Sequence, residues 1–289
     1  IWKETIMKII ISTESTCDLP KEILEKNGIS TIPYTVLLGE RSGADGVITP
    51  DDIFKYVDET KDLPRTCAVN EYDFTEYFSN LRKNCDVVIH ITLSSKITSS
   101  VENARNAAKL IKGVYIVNSK SLSTGIALLA LYGKHLVDKG YEPEEIVKKL
   151  EARRNAVQAS FVINTLNYLH KGGRCSGLAH ITAAILRIKP QIIVKNGELV
   201  TGKKYFGKNA GVITSYCKDV LNEFDNPDKS LVFITHSQAS PEMVEAARKE
   251  LQERGFKNIV ETLAGATISS HCGPKTLGIL YFNDGGVKD

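Results

Sequence analysis

The sequence predicts an α/β protein of two domains. Residues 7–157 form an N-terminal parallel sheet with helices on both faces, and residues 158–289 form a C-terminal mixed sheet with helices. Three observations carry this expectation. Short apolar runs of strand length alternate with longer segments of helical period, the pattern of a parallel sheet joined by crossover helices. The chain has 289 residues, and a single core stops growing at about 250–300 residues, so one large domain or two medium ones are expected. Asn196-Gly197 between two apolar runs is the strongest short hairpin signal, and it makes the second sheet mixed.

In the first half, Lys8 to Thr13 reads as a buried strand, with Ile9, Ile10 and Ile11 in a row. Ser15, Thr16, Asp18 and Pro20 then mark a turn into a helix. Thr31 to Leu38 is a second apolar run, and Asp51 or Asp52 is the expected cap of the next helix. Asn70 caps a helix over Glu71 to Leu81, with Phe74, Tyr77 and Leu81 on one face. Val87 to Thr92 and Val114 to Asn118 read as strands. Between them, Ser99 to Ile111 reads as a helix with Val101, Ala104, Ala108 and Ile111 in register. Leu122 to Asp138 and Pro143 to Arg154 are two further helices.

The domain boundary is placed near residues 155–160, before a strand over Ala159 to Asn164. A helix runs to His170 and ends at Gly172 and Gly173. Ala179 to Leu186 reads as a short helix. Pro190 to Lys195 and Glu198 to Tyr205 are the arms of the hairpin. Ala210 to Phe224 and Met243 to Arg254 are helices; Leu231 to His236, Asn258 to Leu263 and Leu277 to Phe282 are strands. Repeats and low-complexity linkers are absent, so the two domains are expected to pack closely.

A net charge of +3, with both signs mixed along the chain, gives no electrostatic case for nucleic acid. The six cysteines form no CxxC pair. The six histidines do not fall at ligand spacing from them, so a secreted disulfide framework and a metal centre are both disfavoured. Free thiols fit a reducing cytoplasm. Cys67, Cys175 and Cys272 read as small buried side chains. No segment has the ~20 apolar residues of a membrane span, and Ile1 to Ile6 lack an apolar signal core. Met7 is a candidate native start.

Ligands of open parallel sheets bind beyond the carboxyl ends of the strands. Two such ends are rich in hydroxyls: Ser94-Ser95-Lys96-Ile97-Thr98-Ser99-Ser100 and Asn118-Ser119-Lys120-Ser121. Helix capping explains one hydroxyl per helix, not five in seven residues. The first cluster is therefore read as an anion or polar-head site, and the second as capping. Arg174, just past a helix end, can grip a carboxylate or phosphate; taken alone it is more simply a helix-dipole partner. His271, in an expected turn over Ser269 to Pro274, can donate to an anion or act as a base, although a lone loop histidine is usually neither. His236 is a weaker candidate of the same kind. Dinucleotide, P-loop, nucleophile-elbow and HExxH signatures are missing. A Ser94 or Ser95 hydrolase with His271 lacks any sequence feature that fixes its geometry.

Five short motifs in order make the chain similar to the DegV family over residues 8–283. They are Ser12-Thr13-Glu14-Ser15-Thr16-Cys17-Asp18-Leu19-Pro20, Thr66-Cys67, Leu93-Ser94-Ser95 with Thr98, Leu166 to Arg174, and His271-Cys272-Gly273-Pro274 with Leu277-Gly278. The resemblance implies a bacterial, cytoplasmic, non-enzymatic protein with one long-chain fatty acid as its ligand and no other cofactor. It also implies a role as the acyl-binding subunit of a fatty acid kinase, presenting the carboxylate to a separate kinase subunit that forms the acyl phosphate. By the same resemblance, head-group contacts map to Thr66 and Thr98, with Ser94 and Ser95 as neighbours, and to Arg174 and His271. The chain departs from the family pattern at Cys67-Ala68-Val69-Asn70. It also departs at Lys96 and Lys275, where the family has glycines.

Physical chemistry fits that reading. A ~16-carbon tail at roughly 0.8 kcal/mol per methylene is worth on the order of 10 kcal/mol before entropic costs. The tail then supplies affinity while the donors set orientation, so Thr98→Ala is expected to weaken binding modestly. Ile181 to Ile188 and Ile192 to Val194 can line a tunnel or be plain core. The alternatives to a binding protein are an esterase or acyl-transfer enzyme using Ser94 or Ser95 with His271, and a lipid sensor.

Overall fold

A computed structural model describes residues 7–175 and 188–287. β1 (Ile9–Glu14) carries the three isoleucines inward and ends on a fully buried carboxylate. A 3-10 turn over Ser15–Cys17 and α1 (Lys21–Asn27) follow. The apolar run after it is not one strand. Pro33 has no N–H to give a ladder. β2 (Ser30–Ile32) therefore joins β1, while β3 (Thr35–Leu38) turns into a separate antiparallel sheet with β4 (Arg41–Ala44). α2 (Pro50–Thr60) is capped by Thr49, not by Asp51 or Asp52. Thr49 Oγ1 accepts from the Asp52 N–H, and the Asp52 carboxylate accepts from the Thr49 N–H, a reciprocal box with Pro50 just inside the helix. β5 (Arg65–Cys67), which the sequence did not reveal as a strand, completes the small sheet in the order β4-β3-β5.

α3 (Glu71–Arg82) starts at Asn70 as expected, with Phe74 and Phe78 as its fully buried residues and Tyr77 at the margin. β6 (Val87–Thr92), α4 (Ser100–Lys109) and β7 (Val114–Asn118) complete a parallel sheet in the order β2-β1-β6-β7. β1 continues to β2 on one side and β6 to β7 on the other. The carboxyl ends of β1 and β6 thus flank the point where the strand order reverses, the place such sheets keep for ligands.

α5 (Thr124–Asp138) is apolar nearly all round, as a helix covered on several sides must be. It packs against β1 and β6 on one side and, on the other, against β8 (Val157–Val162), reached through α6 (Pro143–Arg153). α7 (Asn167–Gly172) ends on Gly173 in the left-handed region. The short helix expected over Ala179 to Leu186 lies outside the described residues. β9 (Ile188–Lys195) and β10 (Glu198–Phe206) pair antiparallel across Asn196-Gly197, both at positive φ (53° and 86°), as a two-residue turn of this kind requires.

α8 (Asn209–Glu223), β11 (Val232–Ser237), α9 (Pro241–Arg254), β12 (Ile259–Leu263), α10 (Ala266–Cys272) and β13 (Thr276–Phe282) follow. The six-stranded sheet runs β10-β9-β8-β13-β11-β12, mixed as expected, with β11 and β12 its parallel pair. The segment expected as a turn before the last strand is instead the end of α10. The Asp45 carboxylate accepts the Ala266 and Thr267 N–H groups, and this cap from another part of the chain lets the helix start. One hydrophobic core joins the parallel sheet to the mixed one, from Ile11 and Ile89 through α5 to Phe161, Phe233 and Leu280. Among the described residues no helix is long and apolar enough to cross a membrane, and no three His, Cys, Asp or Glu side chains gather as a metal site.

Candidate functional site

A cavity of about 540 Å³ opens between the carboxyl end of the parallel sheet and the mixed sheet. That volume lies within the range of small-ligand pockets. Leu93, Leu122, Phe161, Leu169, Leu199 and Leu280 give it apolar walls. Ile192 is fully buried core rather than wall, and residues 181–187 lie outside the described residues.

One end of the cavity is polar, and it is assembled from distant segments. β5 places Thr66 opposite His271 on α10, with Thr66 Oγ1 and His271 Nε2 2.8 Å apart. Burial, and next the Arg174 guanidinium, push the His271 imidazole down to about 4, so it is neutral near pH 7. Its Nδ1 has no partner among the described residues. A buried N–H without an acceptor costs more than a lone pair without a donor. The favoured tautomer therefore carries its proton on Nε2 and donates to Thr66 Oγ1, which frees the Thr66 proton for a ligand. Gly172 makes this packing possible, because a Cβ there would lie 2.8 Å from His271 Nδ1.

Thr98 reaches the same end from the loop between β6 and α4. Its Oγ1 lies 3.0 Å from the Tyr34 hydroxyl and accepts the Ser100 N–H at 3.2 Å. Arg174 lies exposed at the rim and donates to the Gly172 carbonyl. No carboxylate among the described residues pairs with it, so its charge is available to an anion. Thr66, Thr98, Ser95, Arg174 and His271 all line the cavity.

Ser94 does not. It is fully buried, and its hydroxyl donates to the Gly197 carbonyl at 2.7 Å, fastening the hairpin tip to the loop. A Cβ on Gly197 would lie 2.5 Å from that hydroxyl, so glycine serves both the turn and the approach. The five hydroxyls of the first cluster thus divide: Ser95, Thr98 and Ser99 face the cavity, while Ser94 and Ser100 turn to Gly197 and Glu14. The second cluster does not cap its helix. Its Asn118 amide donates to Ser95, its Ser121 carbonyl accepts the Ser94 N–H, and the nearby Ser123 donates to Asp18. It buttresses the first. A serine–histidine hydrolase is not assembled from Ser94, Ser95 and His271, because their partners are Gly197, Asn118 and Thr66 respectively.

Other expectations fare unevenly. Cys175 and Cys272 are buried, but Cys67 is exposed, because alternate residues of a short edge strand face outward. His236 lines the cavity. Its Nδ1 accepts the Ala239 N–H, which puts its proton on Nε2 towards Glu261. Lys96 forms an exposed ion pair with Glu198 at 3.4 Å. Lys275 sits at φ 59°, a conformation costing a non-glycine residue roughly 1 kcal/mol.

Two functional candidates escaped the sequence. Tyr34, buried just after Pro33, partners Thr98. Glu14 is fully buried behind Ser100; burial raises its carboxyl to about 7 against the hydrogen bonds from Ser100, Leu93 and Thr16. An acidic residue closing a run of buried strand residues was the signal available for Glu14. A second, more polar cavity of about 770 Å³, bordered by Arg65, Lys171 and Tyr56, shares Thr66, Arg174 and His271 with the first. The head-group wall is therefore approached from two sides.

Residues 8–284 match a family described as "Uncharacterised protein, DegV family". A fatty acid-binding protein of Thermotoga maritima is 28% identical over 281 residues, covering 94% of this chain and 96% of that protein. A DegV domain-containing protein of Caldanaerobacter subterraneus is 29% identical, covering 95% and 98%. Among solved structures, a DegV family protein from Thermus thermophilus, reported for its fatty acid binding, superposes with a TM-score of 0.89 at 27% identity, covering 96% of this chain and 99% of that one. A stearic acid-binding protein from Eubacterium ventriosum superposes with 0.82 at 26%, covering 94% and 98%.

Proposed function

The chain belongs to the DegV family, and from that premise we propose that it binds one long-chain fatty acid, tail in the 540 Å³ cavity and carboxylate against Thr66, Thr98, His271 and Arg174. Residues 7–157 and 158–289, taken as two domains, hold the ligand between them. The observation that carries the reading is the pairing of an apolar chamber with a wall of mostly uncharged donors. A carboxylate with one guanidinium beside it and hydroxyl protons aimed at it keeps its charge without a full ion pair. Burial of the tail supplies most of the affinity, at roughly 0.8 kcal/mol per methylene. Ser95 adds a hydroxyl at the rim.

The reading extends to presentation. The second cavity leaves the head-group wall open on its far side, so a bound carboxylate is within reach of another protein's reactant. A kinase subunit that phosphorylates the carboxylate to an acyl phosphate is the partner this arrangement suits. Six cysteines with no CxxC pair and no dense, short framework support the cytoplasm as the compartment.

Native mass spectrometry of the purified protein, followed by denaturing extraction and lipid analysis, tests the ligand. A stoichiometric adduct that resolves into a fatty acid is expected. Protein that stays empty after incubation with saturated and unsaturated acids overturns the reading.

A further inference from the structure

The small sheet β4-β3-β5 touches the head-group wall at three points. Tyr34, at the entry to β3, has its hydroxyl 3.0 Å from Thr98 Oγ1. Thr66, opposite Val36 on β5, meets the His271 ring at 2.8 Å. Asp45, at the exit of β4, reaches α10, the helix that carries His271. Its Oδ1 accepts the Ala266 N–H at 2.8 Å and its Oδ2 the Thr267 N–H at 3.3 Å. His271 is thus held twice by one frame, once by its ring and once by the start of its helix. Asp45 itself is fixed. Its N–H donates to the Tyr34 carbonyl at 2.8 Å, and its Oδ2 accepts the Ser15 hydroxyl at 2.9 Å. Ser15 Oγ in turn accepts the Tyr34 N–H at 3.2 Å.

α10 cannot set its own position. It has seven residues, about two turns, too few to be stable without help at its ends. Two of its ties stay within its own half of the chain: Ser269 meets Ser237 at 2.9 Å, and the Cys272 carbonyl accepts the Thr276 hydroxyl. Its hydrogen bonds to the N-terminal half run from Gly265 to Asp18, from Ala266 and Thr267 to Asp45, and from His271 to Thr66. Gly265 allows the close approach, because a Cβ there would lie 3.1 Å from Asp45 Oδ1 and 3.2 Å from Asp18 Oδ1. We propose that Asp45 is a positioning residue of the head-group wall. By capping α10 from the small sheet it holds the His271 imidazole in line with Thr66, while Tyr34 of the same sheet holds Thr98, so both hydroxyls face one carboxylate together. The inference rests on the fatty-acid reading above and assigns Asp45 a role in it.

Losing the cap should be felt by the head group before the tail. His271 lies roughly 7–8 Å along the helix from the capped end, so a small tilt there displaces the ring. A hydrogen bond weakens steeply once its angle is lost, and the His271–Thr66 bond is what leaves the Thr66 proton free for a ligand. The leucine and phenylalanine walls of the cavity stand on other elements than α10, so the tail site keeps its shape. The coupling also runs in reverse: a carboxylate that engages the wall must strengthen the cap by the same factor that the cap strengthens its binding.

The test compares dodecanoate with dodecanol, which has the same tail length and a neutral head, by calorimetric titration of the delipidated full chain at neutral pH. Asp45→Ala is expected to weaken dodecanoate binding roughly tenfold, as for the loss of one directed hydrogen bond at a charged group, and to leave dodecanol within about twofold. Asp45→Asn keeps an acceptor for the Ala266 N–H, and asparagine caps helices about as well as aspartate. It should bring dodecanoate binding back to within about threefold of wild type. Should Asp45→Ala fail to fold, wild type carries the test through hydrogen exchange. Dodecanoate should slow exchange of the Ala266 and Thr267 amides roughly tenfold more than dodecanol at equal saturation. Equal losses for the two ligands in Asp45→Ala, Asp45→Asn binding no better than Asp45→Ala, or equal protection of the two amides by both ligands overturns the role of Asp45 and leaves the fatty-acid reading standing. Absence of any dodecanoate binding by wild type overturns both.

Discussion

Two polar clusters lie where the halves of the molecule meet, and they are built on opposite rules. At one, Arg153 at the end of α6 donates to Asp228 and Asp284 at 2.8 and 2.9 Å, and its guanidinium stacks on Phe282 and Tyr132. Positive and negative charge are matched and held between two aromatic faces. At the other, among the described residues, the head-group wall leaves an arginine without a carboxylate and a Thr66 hydroxyl whose proton is free, with a buried carboxyl behind it raised to about 7. Satisfied polar groups hold a fold together; groups left wanting are those a ligand completes. The clusters should therefore answer differently to the same perturbation.

Removing the central cation should have the largest effect. Arg153→Ala strands two carboxylates in a largely enclosed site and is expected to cost about 3–5 kcal/mol in urea unfolding, with dodecanoate affinity of the remaining folded protein unchanged. A loss of affinity without a loss of stability would reverse the roles given to the two clusters.

Next comes pH, where the two carboxylates should pull in opposite directions. Asp228 is held below the usual carboxylate range by Ser230 and Arg153 against the effect of burial. The stability it contributes is present above the unfolded value near 4 and is lost as pH falls. Glu14 is raised, so its contribution is full below about 4.5 and is lost as pH rises through about 7, on the order of 3 kcal/mol in all. Unfolding free energies across pH 3–8 should show both slopes. Asp228→Asn should flatten the acid limb, and Glu14→Gln should flatten part of the neutral one, the rest belonging to Asp18, whose carboxyl burial raises to about 8. A neutral limb unaltered by Glu14→Gln would mean that Glu14 is not the group that titrates there.

Much of this fold is written in local patterns. The three isoleucines of β1, the Asn70 cap and the Asn196-Gly197 turn depend on neighbours a few residues away, so they could be read directly. What could not be read depends on distant partners. Pro33 divides one apolar run between two sheets, and nothing nearby says where β3 goes. α10 exists because Asp45, more than two hundred residues earlier, caps it, so Ser269 to Pro274 looked like a turn. At the site, the hydroxyl cluster announced itself by composition, and the resemblance supplied Thr66, Arg174 and His271. Which serine faces the cavity was decided by Gly197 from the other half, and Glu14 is met by Ser100, 86 residues away.

Smaller in effect, but confined to the ligand site, is Gly172→Ala. The added methyl would lie 2.8 Å from His271 Nδ1, and either the ring or the end of α7 must move. Alanine suits a helical position, so the fold should tolerate it, with a change in stability within about 1 kcal/mol. The His271–Thr66 alignment should not survive, and dodecanoate affinity is expected to fall about tenfold, as for the loss of one directed hydrogen bond at a charged head group.

The smallest effect should come from Lys96. Its partner Glu198 is on the hairpin, so the pair spans the seam between the β6–α4 loop and the mixed sheet. Position alone suggests a latch over the cavity. Exposure argues otherwise: both side chains are more than half exposed, at 60% and 57%, and such pairs contribute about 0–1 kcal/mol and are screened by salt. The Ser94–Gly197 bond beside it is buried and unscreened, so it should hold the tip regardless. Lys96→Gly should then leave dodecanoate affinity within about twofold of wild type and shift stability by less than about 0.5 kcal/mol. The contrast with Arg153 is one of burial rather than charge. If Lys96→Gly instead opened the cavity, seen as a rise in the dodecanoate dissociation rate that high salt reproduces in wild type, the exposed pair would be the fastening and Ser94 the bystander.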